Sequence, residues 1–263
     1  VERVTDAIGL VVFDWAGTLL DFGCRAPLVA FHEAFREAGV PITDADARKP
    51  MGAHKRDHVR EILRDPGIAA RVRAERGREP DEALVAEIYG AFGRRLPSLL
   101  PAHADPIPGS VEVLHWLRER GVRVGSTTGY TRAMMDVLEP VARRAGITPE
   151  VVLCADEVPM GRPAPWACFR IAEQMGVYPM QRAVKVGDTP ADMAEGRNAG
   201  MLCVGVTESG NEVGLSQGAL EALPAPERAR LVAEAEARLQ AAGAHAVLRS
   251  VAELPAWLAA RVP

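Results

Sequence analysis

The sequence predicts an α/β fold, a Rossmann-like parallel-sheet core interrupted after its first strand by an all-helical insertion. Three observations predict it. An apolar run, residues 8–13, ends abruptly in Asp14 and the turn Ala16-Gly17-Thr18, as a buried parallel strand does. Residues 27–95 then read as helical throughout, with no strand signal. From residue 109 onward, helical and short apolar stretches alternate, the pattern of right-handed βαβ units with helices on both sheet faces.

Residues 8–13 form the first strand, and Asp21-Phe22-Gly23 is the first candidate hinge. Over 27–38, Leu28, Phe31, Phe35 and Ala38 share one face at helical spacing, and Gly39 stops the helix. A second helix follows Pro50-Met51-Gly52 and runs to about residue 64. Asp65-Pro66-Gly67 reads as a turn, then come a charged stretch to residue 78 and a helix over 80–92. Pro97, Pro101, Pro106 and Pro108 mark the return linker. Helices are expected over 109–120, 131–145, 163–175 and 190–199, with strands over 122–126, 151–154, 183–186 and 201–206. The pattern blurs after Thr207, leaving a helix over 227–241, a weak strand over 244–248 and a last helix over 252–260. The expected core is therefore residues 1–22 and 98–263, and the insertion residues 23–97. An insertion hinged this close to Asp14 can act as a lid that excludes water.

A chain of 263 residues, 48% of them hydrophobic, can bury a sizeable core. Its net charge of -4, without a basic or acidic block, gives no support for binding nucleic acid or a membrane surface. Cys24, Cys154, Cys168 and Cys203 lie far apart without a CxxC pair. That argues against a disulfide scaffold or zinc site and fits a reducing, cytoplasmic location. The first apolar run lacks a basic leader, so it does not read as a signal peptide, and no run is long enough to cross a bilayer.

Four separate strand ends carry polar or Gly-rich punctuation: Asp14, then Ser126-Thr127-Thr128-Gly129, then Gly161-Arg162-Pro163, then Gly187-Asp188-Thr189-Pro190-Ala191-Asp192. Each alone has an ordinary structural reading as a turn, a surface arginine or a helix cap. A parallel sheet, however, brings adjacent strand ends into one crevice. Pro190 suits a first helical position with Thr189 as its cap, which sets Asp188 on the strand end and Asp192 in the first helical turn. Asp14 and Asp188 can share a hard divalent ion, with Mg²⁺ the natural candidate. Arg162 and Thr127 can hold phosphoryl oxygens. Asp14 is then available as a nucleophile that forms an aspartyl-phosphate, its repulsion from the phosphate offset by Mg²⁺ and Arg162.

As a set, Asp14-x-x-Gly17-Thr18, the Ser/Thr turn, the basic residue before Pro163 and Gly187-Asp188-x-x-x-Asp192 resemble the four motifs of the haloacid dehalogenase-like superfamily. The helical insertion resembles its cap domain. One departure is informative. Phosphatases of that superfamily usually carry an acid two residues after the nucleophile, to protonate a leaving alkoxide; here that residue is Ala16. The insertion offers an explanation in Met51-Gly52-Ala53-His54-Lys55-Arg56-Asp57-His58. Lys55 and His58, at i and i+3, share a helix face, and Met51 lies one turn earlier. This reads either as a solvated charged helix or as a lysine that forms a Schiff base with a carbonyl substrate. An iminium beside a carbon–phosphorus bond lets the carbon leave as an enamine, so no alkoxide needs an acid at position 16.

Together with Gly23-Cys24-x-Ala26-Pro27 and Gly161-Arg162-Pro163-Ala164-Pro165-Trp166, these residues resemble the phosphonoacetaldehyde hydrolase (phosphonatase) branch. The resemblance implies hydrolysis of that phosphonate to acetaldehyde and phosphate, with Lys55 as the Schiff-base residue and His58 as a nearby proton carrier. It implies Mg²⁺ ligands from Asp14, the Ala16 carbonyl and Asp188, with Thr18 and Asp192 in support. Cys24, Met51, Gly52, Thr128 and Tyr130 match positions near the substrate. The resemblance also implies a homodimer joined through the caps, for which the apolar face of the 27–38 helix could serve. Two other readings stay open: a phosphate-ester phosphatase or phosphomutase, against which Ala16 argues, and a non-catalytic phospho-ligand binding module. His32, His54, His103, His115 and His245 read as structural or surface residues.

Overall fold

The computed structural model describes residues 7–260; residues 1–6 and 261–263, the outer ends of the expected core, lie outside them. Every expected strand is present. They are β1 (Leu10–Phe13), β2 (Arg123–Thr128), β3 (Val151–Cys154), β4 (Ala183–Gly187), β5 (Leu202–Val206) and β6 (Ala246–Leu248). They form one six-stranded sheet in the order β3-β2-β1-β4-β5-β6, and every pairing is parallel. The connections reverse direction on either side of β1, so the crevice beyond its carboxyl end is the place where such sheets bind ligands. Phe13 pairs with Ser126 on one side and Val186 on the other. Asp14 therefore emerges between Thr127 and Gly187.

The insertion is helical, as expected: α1 (Arg25–Glu37), α2 (Asp44–Arg48), α3 (Lys55–Arg64), α4 (Pro66–Arg76) and α5 (Glu82–Leu99). Two boundaries differ from the sequence reading. Asp65-Pro66-Gly67 is a helix start, not a turn: the Asp65 carboxylate accepts from Gly67 N at 2.9 Å and Pro66 opens α4. An Asp followed by Pro serves an N-cap as well as a turn. The charged stretch is then helix α4, pinned by buried Ile68 and Val72. Likewise α5 runs through Pro97, which sits close enough to the end that the single lost N–H does not stop it.

The apolar face of α1 is not open to a second copy. Phe31 stacks on Phe92 of α5 with ring centroids 4.3 Å apart, and Leu28, Phe31, Ala34 and Phe35 belong to the main buried core. Burial of each large side chain contributes about 1.5–3 kcal/mol, so this face is used within the chain. Large apolar side chains that do reach solvent include Met160, Trp166, Phe169 and Tyr178.

After β1 and the insertion come α6 (Ser110–Glu119), α7 (Arg132–Arg144), α8 (Trp166–Met175), α9 (Pro190–Asn198), α10 (Gln217–Glu221), α11 (Ala225–Ala241) and α12 (Leu254–Ala259). The four cysteines are buried and free. Among the described residues no helix is long and apolar enough to cross a membrane.

Candidate active site

Asp14 is held at the strand end by its own amide, which donates to Val186 O at 2.9 Å. Its carboxylate is buried, and Arg162 Nη2 reaches Asp14 Oδ1 at 2.6 Å. Arg162 is 7% exposed, and its other nitrogens are equally engaged. Nη1 contacts Asp192 Oδ1 at 2.9 Å and Nε contacts Glu195 Oε2 at 3.0 Å. Burial pushes the Asp14 carboxyl above its ordinary range, and Arg162 offsets this only in part.

The helix after β4 starts as its sequence predicts. Thr189 caps α9, its hydroxyl accepting from Asp192 N while Asp192 Oδ2 accepts from Thr189 N at 3.2 Å. That reciprocal cap fixes Asp192 so that Oδ1 faces Arg162 and also Lys185 Nζ at 3.1 Å. Burial would raise the Asp192 pKa, but Arg162 and Lys185 together outweigh it and hold the carboxyl below its ordinary value.

Asp188 has no such cation. Thr18 Oγ1 donates to Asp188 Oδ1 at 3.2 Å, and Asn211 N and Cys24 Sγ donate to Oδ2 at 2.8 and 3.3 Å. Burial, then the charges of Asp14 and Asp192, push its pKa well above the ordinary range. Carboxylate oxygens of Asp14, Asp188 and Asp192 lie within 4.8 Å of one another. Counted together, the buried carboxylates Asp14, Asp188, Asp192 and Glu195 face the buried cations Arg162, Lys185 and Lys55. Uncompensated buried negative charge is costly, and the excess sits at Asp188, the one of the four without an ion-pair partner among the described residues. The donor set, all oxygen and all hard, fits a divalent metal ion. Asp14 and Asp188 would hold it, with the Ala16 carbonyl beside them; Asp192 is committed to its two cations.

A cavity of about 20 Å³ closes over Asp14, enough for about one water. From the core it is lined by Asp14, Ala16, Thr128, Tyr130 and Arg162; from the insertion by Cys24, Met51, Gly52 and Lys55. Lys55 is the first residue of α3 and only 3% exposed. Its ammonium lies 3.8 Å from Met51 Sδ and over the rings of Tyr130 and Phe31, at 5.3 and 5.8 Å from their centroids. The solvated-helix reading of this lysine is therefore overturned. Burial lowers its pKa from 10.5 to about 8, against the attraction of Asp14. Gly52 is required where it stands: its φ is +90°, and a Cβ there would meet Thr189 Oγ1 at 2.3 Å.

Of the expected catalytic and substrate-binding residues, His58 and Thr127 lie off the cavity wall. His58 Nε2 contacts Ala47 O at 2.8 Å, and the ring stacks on Phe31 with centroids 4.0 Å apart. A carbonyl can only accept, so Nε2 carries the proton and Nδ1, buried and without a hydrogen-bond partner, holds the free lone pair. Burial, then the Lys55 charge, keeps the ring neutral. Thr127, expected at the phosphoryl group, does not line the cavity over Asp14. Its hydroxyl donates to Glu195 Oε2 at 2.9 Å and accepts from Lys185 Nζ at 2.6 Å and Arg162 Nη2 at 2.8 Å. Side chains alternate along a strand, so Thr128 alone of the pair lines the cavity. Ser126 is likewise spent, its Oγ accepting from Trp15 Nε1 at 2.9 Å.

The sequence reading missed Lys185 and Glu195. The signal for Lys185 was a lysine inside an otherwise apolar central strand, where a charge needs a partner. Glu195 stands one turn after Asp192, and nothing local distinguishes it from an exposed helix glutamate.

A profile for haloacid dehalogenase-like hydrolases matches residues 8–200. The chain belongs to this family, whose members generally use a divalent metal, and the Asp cluster could hold one. Whole-length relatives narrow the likeness. The chain is 47% identical to the phosphonoacetaldehyde hydrolase of Nitratidesulfovibrio vulgaris over 252 residues, 95% of this chain and 90% of that protein. It is 46% identical to that of Bacillus cereus over 247 residues, 94% of each chain. The crystal structure of a phosphonoacetaldehyde hydrolase like protein from Oleispira antarctica superposes with a TM-score of 0.94 at 37% identity, covering 97% of this chain and 92% of that one.

Proposed function

We propose that this chain hydrolyses the carbon–phosphorus bond of phosphonoacetaldehyde, giving acetaldehyde and phosphate. The observation that carries the reading is Lys55, a buried amine of lowered pKa enclosed with Asp14 in one small cavity. The neutral Lys55 amine adds to the aldehyde carbon and water leaves, giving an iminium. Asp14 attacks phosphorus, and the electrons of the breaking carbon–phosphorus bond pass into the iminium to give an enamine. Protonation at carbon and addition of water release acetaldehyde and free Lys55. A second water hydrolyses the aspartyl-phosphate. Summed, one water is consumed for each phosphonate cleaved.

Arg162 meets the phosphoryl oxygens beside Asp14, and Thr128 offers a hydroxyl there. Mg²⁺ is the ion we assign to Asp14, the Ala16 carbonyl and Asp188; when bound it supplies positive charge against the phosphoryl group. His58, whose ring feels the Lys55 charge and whose Nδ1 is without a hydrogen-bond partner, is the residue to which we assign proton transfer with Lys55. Ala16 fits because no alkoxide leaves. The cavity is too small for the substrate, so the helical insertion, our cap over residues 23–97, must move off the core to admit it.

The test is acetaldehyde release. Phosphonoacetaldehyde turnover that stops on chelation and in Lys55→Arg, with simple phosphate esters poor substrates, is the expected result. Robust ester turnover that survives Lys55→Arg would overturn the reading in favour of a phosphatase.

A further inference from the structure

We infer that Arg48 and Asn211 are positioning residues that couple docking of the helical insertion to the orientation of Asp188, an inference that rests on Asp188 being a metal ligand of the proposed reaction. Arg48 ends α2 of the insertion. Asn211 lies in the core segment after β5, in a region without clear sequence periodicity. The two are joined reciprocally: Arg48 Nη1 donates to Asn211 Oδ1 at 3.2 Å, and Asn211 Nδ2 donates to Arg48 O at 3.1 Å. The same guanidinium donates to Gly214 O at 2.7 Å and to Gly23 O in the hinge at 2.9 Å. One side chain of the insertion thus grips the hinge and the core segment at once.

The grip leads directly to the site. Asn211 N donates to Asp188 Oδ2 at 2.8 Å, and Asn211 is only 3% exposed. In the same segment, Ser209 Oγ donates to Gly17 O at 2.7 Å, inside the turn that follows Asp14. Two glycines allow the close fit. A Cβ at Gly210 would meet Asp188 Cβ at 2.7 Å, and one at Gly214, whose φ is +71°, would meet the Arg48 guanidinium at 2.8 Å. On the insertion side, Ala47 O accepts from His58 at 2.8 Å, and Met51 and Gly52, a few residues beyond Arg48, line the cavity. When the insertion seats, Arg48 fixes the segment whose amide orients Asp188. When it lifts, that segment loses its anchor. Direct partners of a metal ligand typically shift metal affinity 10- to 100-fold when removed, and these side chains act one step further out, through the Asn211 amide, which sets the expectation at the low end of that range.

Asn211→Ala is informative because it removes the side-chain link and leaves the amide that meets Asp188. Mn²⁺ is titrated into the metal-free protein, with free Mn²⁺ read by electron paramagnetic resonance. Asp188→Asn serves as the reference, and circular dichroism checks folding. Arg48→Met and Asn211→Ala are each expected to weaken Mn²⁺ binding by about tenfold, and the double variant by no more than the worse single one. Arg48→Lys, which cannot reach all its acceptors, is expected to recover part of the loss. Wild-type Mn²⁺ affinity in both single variants would overturn the latch while leaving the metal site standing, as would additive losses in the double variant. Wild-type affinity in Asp188→Asn would remove the ligand assignment itself and the inference with it.

Discussion

Arg162 Nη2 lies 2.6 Å from Asp14 Oδ1, and the same guanidinium contacts Asp192 and Glu195, with all four side chains nearly sealed from solvent. A planar fork can hold that many acceptors and a lysine cannot. Arg162→Lys should therefore lower kcat by about 10²–10³, the scale for removing one preorganised donor from a developing anion. Arg162→Met, which strips buried Asp14 of its ion-pair partner and leaves Asp192 and Glu195 to Lys185 alone, should also lose about 3–5 kcal/mol of stability. Steady-state kinetics and urea unfolding check the two effects. A near-wild-type kcat in Arg162→Lys would show that the fork is dispensable.

Lys55 sets the expected pH dependence. Its folded pKa of about 8 lies below its ordinary 10.5 because burial disfavours the ammonium. Schiff-base formation needs the neutral amine, so activity should rise with pH toward about 8 and fall about tenfold per unit below it; at pH 7 about one Lys55 in ten is neutral. The stability effect has the same sign. The unfolded chain binds the proton more tightly, so burying the ammonium costs most below pH 8, and that cost is lost as pH rises toward 10.5. Lys55→Met should abolish turnover yet stabilise the metal-free protein at pH 7 by up to about 3 kcal/mol. Thermal unfolding across pH 6–10 checks it; a less stable Lys55→Met would contradict the assigned pKa.

Thr127 and Thr128 are adjacent and should behave differently. Thr127→Val removes a hydroxyl on which Glu195, Lys185 and Arg162 converge. The expected result is a stability loss of about 1–3 kcal/mol with KM nearly unchanged. Thr128→Val, on the cavity wall, should raise KM with little loss of stability. The reverse pattern would return Thr127 to the phosphoryl site.

The sheet was legible because each strand is a short apolar run closed by turn residues, and parallel strands buried on both faces must read that way. Asp14 and Asp188 were legible because each closes such a run, and Arg162 because it stands between Gly161 and Pro163 just ahead of an expected helix. Ala16 and Lys55 were legible only as a pair, through the chemistry one lacks and the other supplies. The remainder depended on long-range contacts. Thr127 and Thr128 look alike in sequence, and only the strand's alternation against α9 separates them. Arg48 and Asn211 are far apart in the chain and lie in segments without strong periodicity, so nothing local marks them. Pro66 and Pro97 misled because proline starts a helix, or survives near the end of one, as readily as it breaks one.

The central claim is a covalent bond between Lys55 and the substrate, and borohydride trapping tests it most directly. Enzyme treated with borohydride in the presence of phosphonoacetaldehyde should lose activity and carry a reduced adduct, which peptide mass spectrometry places on Lys55. Lys55→Arg should carry none. Full activity after that treatment, or an adduct only on other lysines, would contradict the account.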